Sequence, residues 1–313
     1  MKKKGFLKVF LLIVILIPLV AIAATGILFR DEISIICSIQ KNGGEHPFYT
    51  MEYKNGYHLD EMLEKDIGSD REMGKYLVEY ISHGFYTPPE TPDSHHIGCS
   101  TLVCKNKEGR LLWGRNFDWD YSTPIIVKAT PENGYASIST CEFTNITGKE
   151  GTLPEGLYNS FLAIAAYYVP MDGINEKGLC VAELEVNEGG QKIVETGKKK
   201  ITTTIATRLL LDKAATVDEA IALLNKYDIC PSGNISAHLS ISDRSGKAVV
   251  VEFMDGKIEV VPTNVVTNFN IKNGNPDAGG ESAKNRFMIL SDTYKDAAGS
   301  MSASELTAAM EKA

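Results

Sequence analysis

Residues 87–96, Thr-Pro-Pro-Glu-Thr-Pro-Asp-Ser-His-His, divide this chain into two kinds of sequence. Prolines among polar neighbours resist both helix and sheet, so the stretch predicts an exposed, extended linker of the kind where proteolysis concentrates. Before it, Leu59, Met62, Leu63, Ile67, Met73, Tyr76, Leu77, Tyr80 and Ile81 recur at nearly helical spacing, and Gly68-Ser69-Asp70 splits them into two helices. From Cys99 onward the pattern turns to strands. Residues 100–105 and 110–117 form a hairpin through Asn106-Lys107-Glu108-Gly109. Further strands are expected at 124–129, 135–143, 161–169 and 178–186, with 172–178 turning the last pair. Helical sequence over 202–225, capped inside at Thr216-Val217-Asp218-Glu219, precedes strands at 237–243, 247–254, 257–261 and 264–268. Helices close the chain near 284–297 and 303–312. Strand blocks followed by helix blocks predict a layered α+β domain rather than alternating βαβ units.

The net charge of −8 leaves no basic surface for nucleic acid, which excludes that class of partner. The exception to the acidic balance is the start: Lys2, Lys3 and Lys4 precede an uncharged run from Val9 to Phe29. Such a run is long enough to span a bilayer, and its positive flank marks export. Ala21-Ile22-Ala23 offers a cleavage site, so residues 1–29 are expected as a membrane anchor or a cleaved signal peptide. Either places the rest outside the cytoplasm. Six cysteines without a CxxC pair do not build a disulfide scaffold, and the histidines lack metal-ligand spacing, so no metal or other cofactor is expected.

One cysteine stands apart. Cys104, Cys141 and Cys180 lie in apolar strand patterns and read as small buried residues, whereas Cys99 follows a glycine at the end of the linker and opens a strand. A hairpin centred between Lys107 and Glu108 sets Cys99 opposite Arg115 or Asn116, within ~5 Å. A guanidinium there favours the reactive thiolate. Asp118 follows three residues after Arg115, which in a regular strand puts it on the opposite face. Both serve one site only if the strand ends or bulges near Asn116. A plain surface ion pair between them is the rival reading.

These residues resemble a family, the N-terminal-nucleophile hydrolases of the choloylglycine hydrolase, penicillin V acylase and acid ceramidase group. The likeness rests on Gly98-Cys99-Ser100-Thr101, Gly114-Arg115-Asn116-Phe117-Asp118, Asn175-Glu176-Lys177-Gly178-Leu179, Val266-Thr267-Asn268 and Asn285-Arg286-Phe287, in that order. It implies a four-layer αββα sandwich over 99–313, preceded by the membrane or signal helix (1–29) and a helical pro-segment (30–98) severed by a cut after Gly98. It also implies roles. The freed α-amine of Cys99 is the base, at a pKa of ~8, and its sulfur attacks an amide to form a thioester. Asp118 holds the ammonium, Arg115 the thiolate; Asn268 donates to the oxyanion and Arg286 supports the site by charge. Glu185 falls where bile-salt hydrolases carry Asn and penicillin V acylases Tyr, which pulls toward the acid ceramidase and N-acylethanolamine acid amidase branch. Glu185 shares strand parity with Glu183, so a solvated face is the alternative. The family ends in a strand pair that this sequence lacks after its last helix, which suggests a truncated C-terminus.

The implied partner is a small N-acyl amide with an apolar acyl chain. The pro-segment stays associated or is released after the cut. Bile-salt or penicillin V acylase activity, acyl transfer to an amine, a papain-like protease using Cys99 with His238, and a non-catalytic membrane-tethered lipid-binding domain are the alternatives.

Overall fold

The computed structural model describes residues 24–55, 58–83, 98–118, 122–187, 195–233, 235–254 and 256–313. The leading segment supplies α1 (Arg30–Ser38), β1 (Gln40–Asn42), β2 (Phe48–Asn55), α2 (Leu59–Leu63) and α3 (Asp70–Ile81). The break between α2 and α3 falls at Gly68-Ser69-Asp70, where the Ser69 hydroxyl accepts from the Glu72 amide and caps the new helix. The strands β1 and β2 lie in sequence too weakly patterned to announce them.

The hairpin is β3 (Gly98–Lys105) with β4 (Leu111–Asp118), but its register differs by one residue from expectation. Cys99 pairs with Phe117, Thr101 with Arg115 and Gly98 with Asp118. The cause is the loop. Gly109, at φ +76°, takes the left-handed conformation while its N–H returns to Asn106 and Asn106 N–H bonds Arg110 O. A turn closed by a left-handed glycine inserts one residue and moves the hairpin centre.

β5 (Pro124–Pro131) and β6 (Ser137–Glu142) follow as expected, then α4 (Thr144–Thr147). Residues 161–169 are not a strand: they finish α5 (Gly156–Leu162) and continue as a 3-10 turn over Ala163–Tyr167. Ala163, Ile164, Ala166 and Tyr167 are all buried, and a short run apolar on every side does not distinguish a strand from a buried helix. Asp172–Asn175, expected as a turn, is β7, and the turn shrinks to Asn175–Gly178 before β8 (Cys180–Glu185). There the Asn175 Oδ1 accepts from the Lys177 and Leu179 amides. The chain continues through β9 (Lys200–Thr202), α6 (Thr203–Lys213), α7 (Val217–Leu224), β10 (Asp228–Cys230), β11 (Ala237–Ser242), β12 (Ala248–Met254), β13 (Lys257–Pro262) and β14 (Val265–Val266). It ends in α8 (Gly280–Asp296) and α9 (Ala303–Lys312), which opens on a Ser302–Glu305 capping box.

Nine strands form one sheet in the order β1-β2-β5-β6-β7-β8-β11-β12-β13, three form a second in the order β14-β3-β4, and β9 and β10 make a small parallel pair. Three apolar clusters record the layering. Leu102, Val265, Leu290, Leu306 and Met310 fill the space between the three-stranded sheet and α8–α9. Cys99, Ala182, Leu184, Val250 and Val266 lie between the two sheets. The largest cluster, with Tyr53, Val127, Tyr167, Leu209 and Leu239, packs the far face of the nine-stranded sheet against the remaining helices. Helix, sheet, sheet, helix is the α+β layering expected from the sequence.

The leading segment is not a separate unit. β2 runs parallel to β5 from Tyr49 opposite Ile125 to Asn55 opposite Pro131, and buries Tyr49, Met51 and Tyr53 in the largest cluster. The Pro-rich linker and the apolar run up to residue 23 lie outside the described residues. Among those described, no helix is long and apolar enough to cross a membrane.

Candidate active site

β3 presents Cys99 toward the nine-stranded sheet, where it is buried, and each of its polar atoms has a different partner. An Arg115 guanidinium nitrogen lies 3.3 Å from the sulfur. The Cys99 amide donates to Asn268 Oδ1 at 2.8 Å, and Arg286 donates to the Cys99 carbonyl. Arg115 and Cys99 share a face because Arg115 stands opposite Thr101, two residues along the strand. Burial pushes the Cys99 thiol up, and the Arg115 guanidinium pulls it down without overcoming that. Arg115 thus favours the thiolate as the sequence leads one to expect, but in the uncut chain burial outweighs it.

Arg286, reaching in from α8, ties the centre together. Its Nη1 also donates to Ser100 Oγ at 2.8 Å, and its Nη2 to Asn268 Oδ1 at 2.7 Å. Because two donors converge on one Asn268 atom, that atom is the carbonyl oxygen. The Asn268 Nδ2 is then committed to the Glu185 carbonyl at 2.8 Å. So in the uncut chain Asn268 holds the future amine rather than offering a free donor to an oxyanion.

Asp118 departs from expectation. β4 neither ends nor bulges at Asn116; it pairs regularly to its last residue, so Asp118 lies beside Gly98 on the face opposite Arg115. A Cβ on Gly98 would sit 3.1 Å from both Cβ and Oδ2 of Asp118, which explains a glycine there. The carboxylate favours the charge of both Arg115 and Arg286 through space. Glu185 contributes through its backbone: the N–H points at the Cys99 sulfur and the carbonyl receives Asn268. Neither Glu185 nor Glu183 faces solvent.

Two acidic residues were not singled out from the sequence. Asp172 Oδ2 lies 3.3 Å from Arg115 Nε, both side chains being buried, so Asp172 fixes the guanidinium from behind. Its position inside an expected turn concealed it. The Glu183 carbonyl accepts from Arg115 at 3.0 Å, while its carboxyl points the other way, to the Thr203 hydroxyl at 2.5 Å. Burial pushes that carboxyl up to about 7. His238 makes no hydrogen bond to Cys99 among the described residues; its charged neighbour is Glu252. That removes the geometric basis for a Cys–His protease pair. A cavity of about 770 Å³ runs along β4, lined by Trp113, Arg115, Phe117, Asp118, Leu306 and Met310 among others. No His, Cys, Asp and Glu grouping among the described residues suits a metal ion.

The described geometry defines a layered α+β protein with one buried thiol held by two arginines and an asparagine amide. The chain belongs to the linear amide C–N hydrolases of the choloylglycine hydrolase family, whose model matches residues 99–271 and so begins at the nucleophile candidate itself. It is 31% identical over 176 residues to a bile salt hydrolase/transferase of Clostridium perfringens, covering 53% of this chain and 51% of that protein. With a penicillin V acylase of Pectobacterium atrosepticum it shares 29% over 160 residues, 47% of this chain and 41% of the other. The chain thus spans about half the length of the curated relatives it matches. Among solved structures, a variant of the conjugated bile acid hydrolase from Clostridium perfringens aligns with a TM-score of 0.47 at 21% identity, over 68% of this chain and 78% of that one. A Caenorhabditis elegans N-acylethanolamine-hydrolyzing acid amidase ortholog aligns at 0.44 and 15%, over 68% and 85%.

Proposed function

We propose that this protein is an N-terminal-nucleophile amidase that hydrolyses the linear C–N bond of small N-acyl compounds after a cut between Gly98 and Cys99. The observation that carries the proposal is the convergence of Arg115, Asn268 and Arg286 on the sulfur, amide nitrogen and carbonyl oxygen of the single residue Cys99. A structural cysteine needs none of these contacts.

Once the cut is made, the Cys99 nitrogen becomes an α-amine of pKa ~8, able to take the thiol proton at neutral pH. The sulfur attacks the substrate carbonyl carbon, and the C–N bond breaks as the ammonium returns its proton to the leaving amine. Water then attacks the thioester, releasing the acid and restoring the thiol. Arg115, braced by Asp172, stabilises the thiolate, and Asp118 stands beside the new ammonium. The Glu185 N–H, aimed at the sulfur, is a donor for the oxyanion, and Asn268 joins it by turning its Nδ2 from the Glu185 carbonyl toward the substrate.

Glu185 and the long segment ahead of Cys99 favour N-acyl substrates with an apolar chain over bile salts. Kinship with a bile salt hydrolase/transferase and a penicillin V acylase supports those activities as the second reading. The leading segment stays bound after the cut, supported by the β2–β5 pairing and by Asp70 Oδ2, which accepts from Gly233 N–H at 2.5 Å. Export, with the N-terminal run as anchor or signal, is supported by Lys2–Lys4 and the uncharged residues 9–29. The test is the intact mass of full-length protein beside Cys99→Ala. A wild-type fragment beginning at Cys99, with the variant whole, supports self-processing; two uncut chains overturn the N-terminal nucleophile.

A further inference from the structure

A second pair of ionisable side chains lies on the sheet face that packs against Cys99. His238 on β11 and Glu252 on β12 are fully buried, with the imidazole Nδ1 3.8 Å from Glu252 Oε1. The register sets His238 opposite Leu184 and places Glu252 on the same face as Val250, both partners of Cys99 in the inter-sheet cluster. A carboxylate in such a place is costly unless its oxygens and charge are answered. Its oxygens are answered by two backbone amides: Ile271 N–H at 2.5 Å and Lys272 N–H at 3.1 Å.

Those amides belong to the irregular turn that begins at Asn268. Ile271 packs against the Cys99 cluster and its carbonyl closes the turn onto Gly274 N–H. The Lys272 ammonium bonds Glu259 at 3.0 Å, and Glu259 stands directly opposite Glu252. Two carboxylates side by side repel; the Lys272 ammonium answers Glu259, and the Ile271 and Lys272 amides hold Glu252. Asn268, three residues before Ile271, has no helix or strand of its own to fix its amide on the Cys99 nitrogen.

We propose that Glu252 is a positioning residue: it locks the turn over residues 268–272 through the Ile271 and Lys272 amides so that the Asn268 amide stays on Cys99. This deepens the nucleophile reading above and rests on it for its catalytic consequence, while the positional part stands on contacts alone. Misplacing such a group by ~1 Å costs roughly 100-fold in rate.

Amide hydrogen exchange separates the two parts. In full-length Cys99→Ala, which keeps the backbone N–H at position 99, adding Glu252→Gln is expected to speed exchange at 99, 271 and 272 by roughly 10-fold or more. Ile125 and Val127, in β5, stay unchanged, which a general loss of stability would not allow. Faster exchange at 271 and 272 with position 99 unmoved overturns the proposal, as does no change at all three. In the otherwise wild-type enzyme, assayed with N-lauroyl-7-amino-4-methylcoumarin, Glu252→Gln is expected to lower kcat roughly 10- to 100-fold at nearly constant KM. An unchanged kcat per folded molecule overturns the catalytic part. Should the wild type neither cut nor turn over the probe, the nucleophile reading fails while exchange still decides the positional one. If Glu252→Gln does not fold, Glu252→Asp, which keeps a carboxyl group at the position but is too short to hold both amides, carries the same expectations.

Discussion

The segment before Gly98 and the domain after it are held in place by different means, although they share one sheet. Among the described residues, the side chains that hydrogen-bond Cys99, those of Arg115, Asn268 and Arg286, all come from the later domain. The leading segment attaches through β2 and through rim contacts such as Lys199–Glu64 and Lys213–Asp60, whose side chains are largely exposed. Exposed pairs of this kind contribute ~0–1 kcal/mol each, so the attachment is carried by β2 and by the apolar side chains that β2, α2 and α3 bury in the largest cluster, Tyr49, Met51, Tyr53, Met62, Leu63 and Leu77 among them. A cut at Gly98 would therefore break the chain without opening the core.

The severest way to break this comparison is to express the chain from Cys99 alone. Without β2, Ile125, Val127 and Ala129 of β5 lose their cover, and the fragment is expected to be insoluble unless residues 24–98 are co-expressed. Recovery of soluble, folded fragment by itself would show the leading segment to be dispensable. Next comes Tyr53→Ala, which removes a buried ring stacked 4.7 Å from that of Tyr167. A loss of about 3–5 kcal/mol in denaturant unfolding is expected, the usual cost of an aromatic truncated in a core.

On the other side of the comparison, Glu183 links stability to pH. Burial raises its carboxyl from 4.5 to about 7 in the folded chain, so the folded state binds a proton that the unfolded state has released between those values. Stability from this group is present below 4.5 and is lost as pH rises toward 7. Glu183→Gln is expected to flatten the fall in Tm between pH 5 and 7.5; an unchanged slope assigns it to other groups. Asp172→Asn keeps the shape behind Arg115 but removes the charge. Amidase kcat is expected to drop about tenfold with KM nearly steady. Smallest is Ser69→Ala, which uncaps α3 and costs about 1 kcal/mol. It sharpens the comparison by loosening the leading segment, read as faster proteolysis of residues 58–83, with the amidase rate untouched.

Local chemistry was legible in the sequence. The split between α2 and α3, the β3–β4 hairpin and the juxtaposition of Cys99 with Arg115 follow from short-range spacing, whereas Asn268 and Arg286 were marked by the resemblance to the family. Each depends on neighbours within a few residues or on residue types that only one chemistry needs. Asp118 and Glu185 were legible as neighbours of the site, but not in how they act.

What only the tertiary structure decided depends on residues distant in sequence. β2 is a strand because β5, more than 70 residues later, offers it an edge. Residues 161–167 are helical because a largely buried apolar run satisfies its backbone within itself. Whether Arg115 yields a thiolate was decided by how deeply Cys99 is buried, which no spacing reveals. Asp172 and Glu252 are silent in the sequence because their importance lies in what they face: one behind Arg115, the other under the turn that carries Asn268. Periodicity is a property of the chain, whereas burial and long-range pairing are properties of the packed fold.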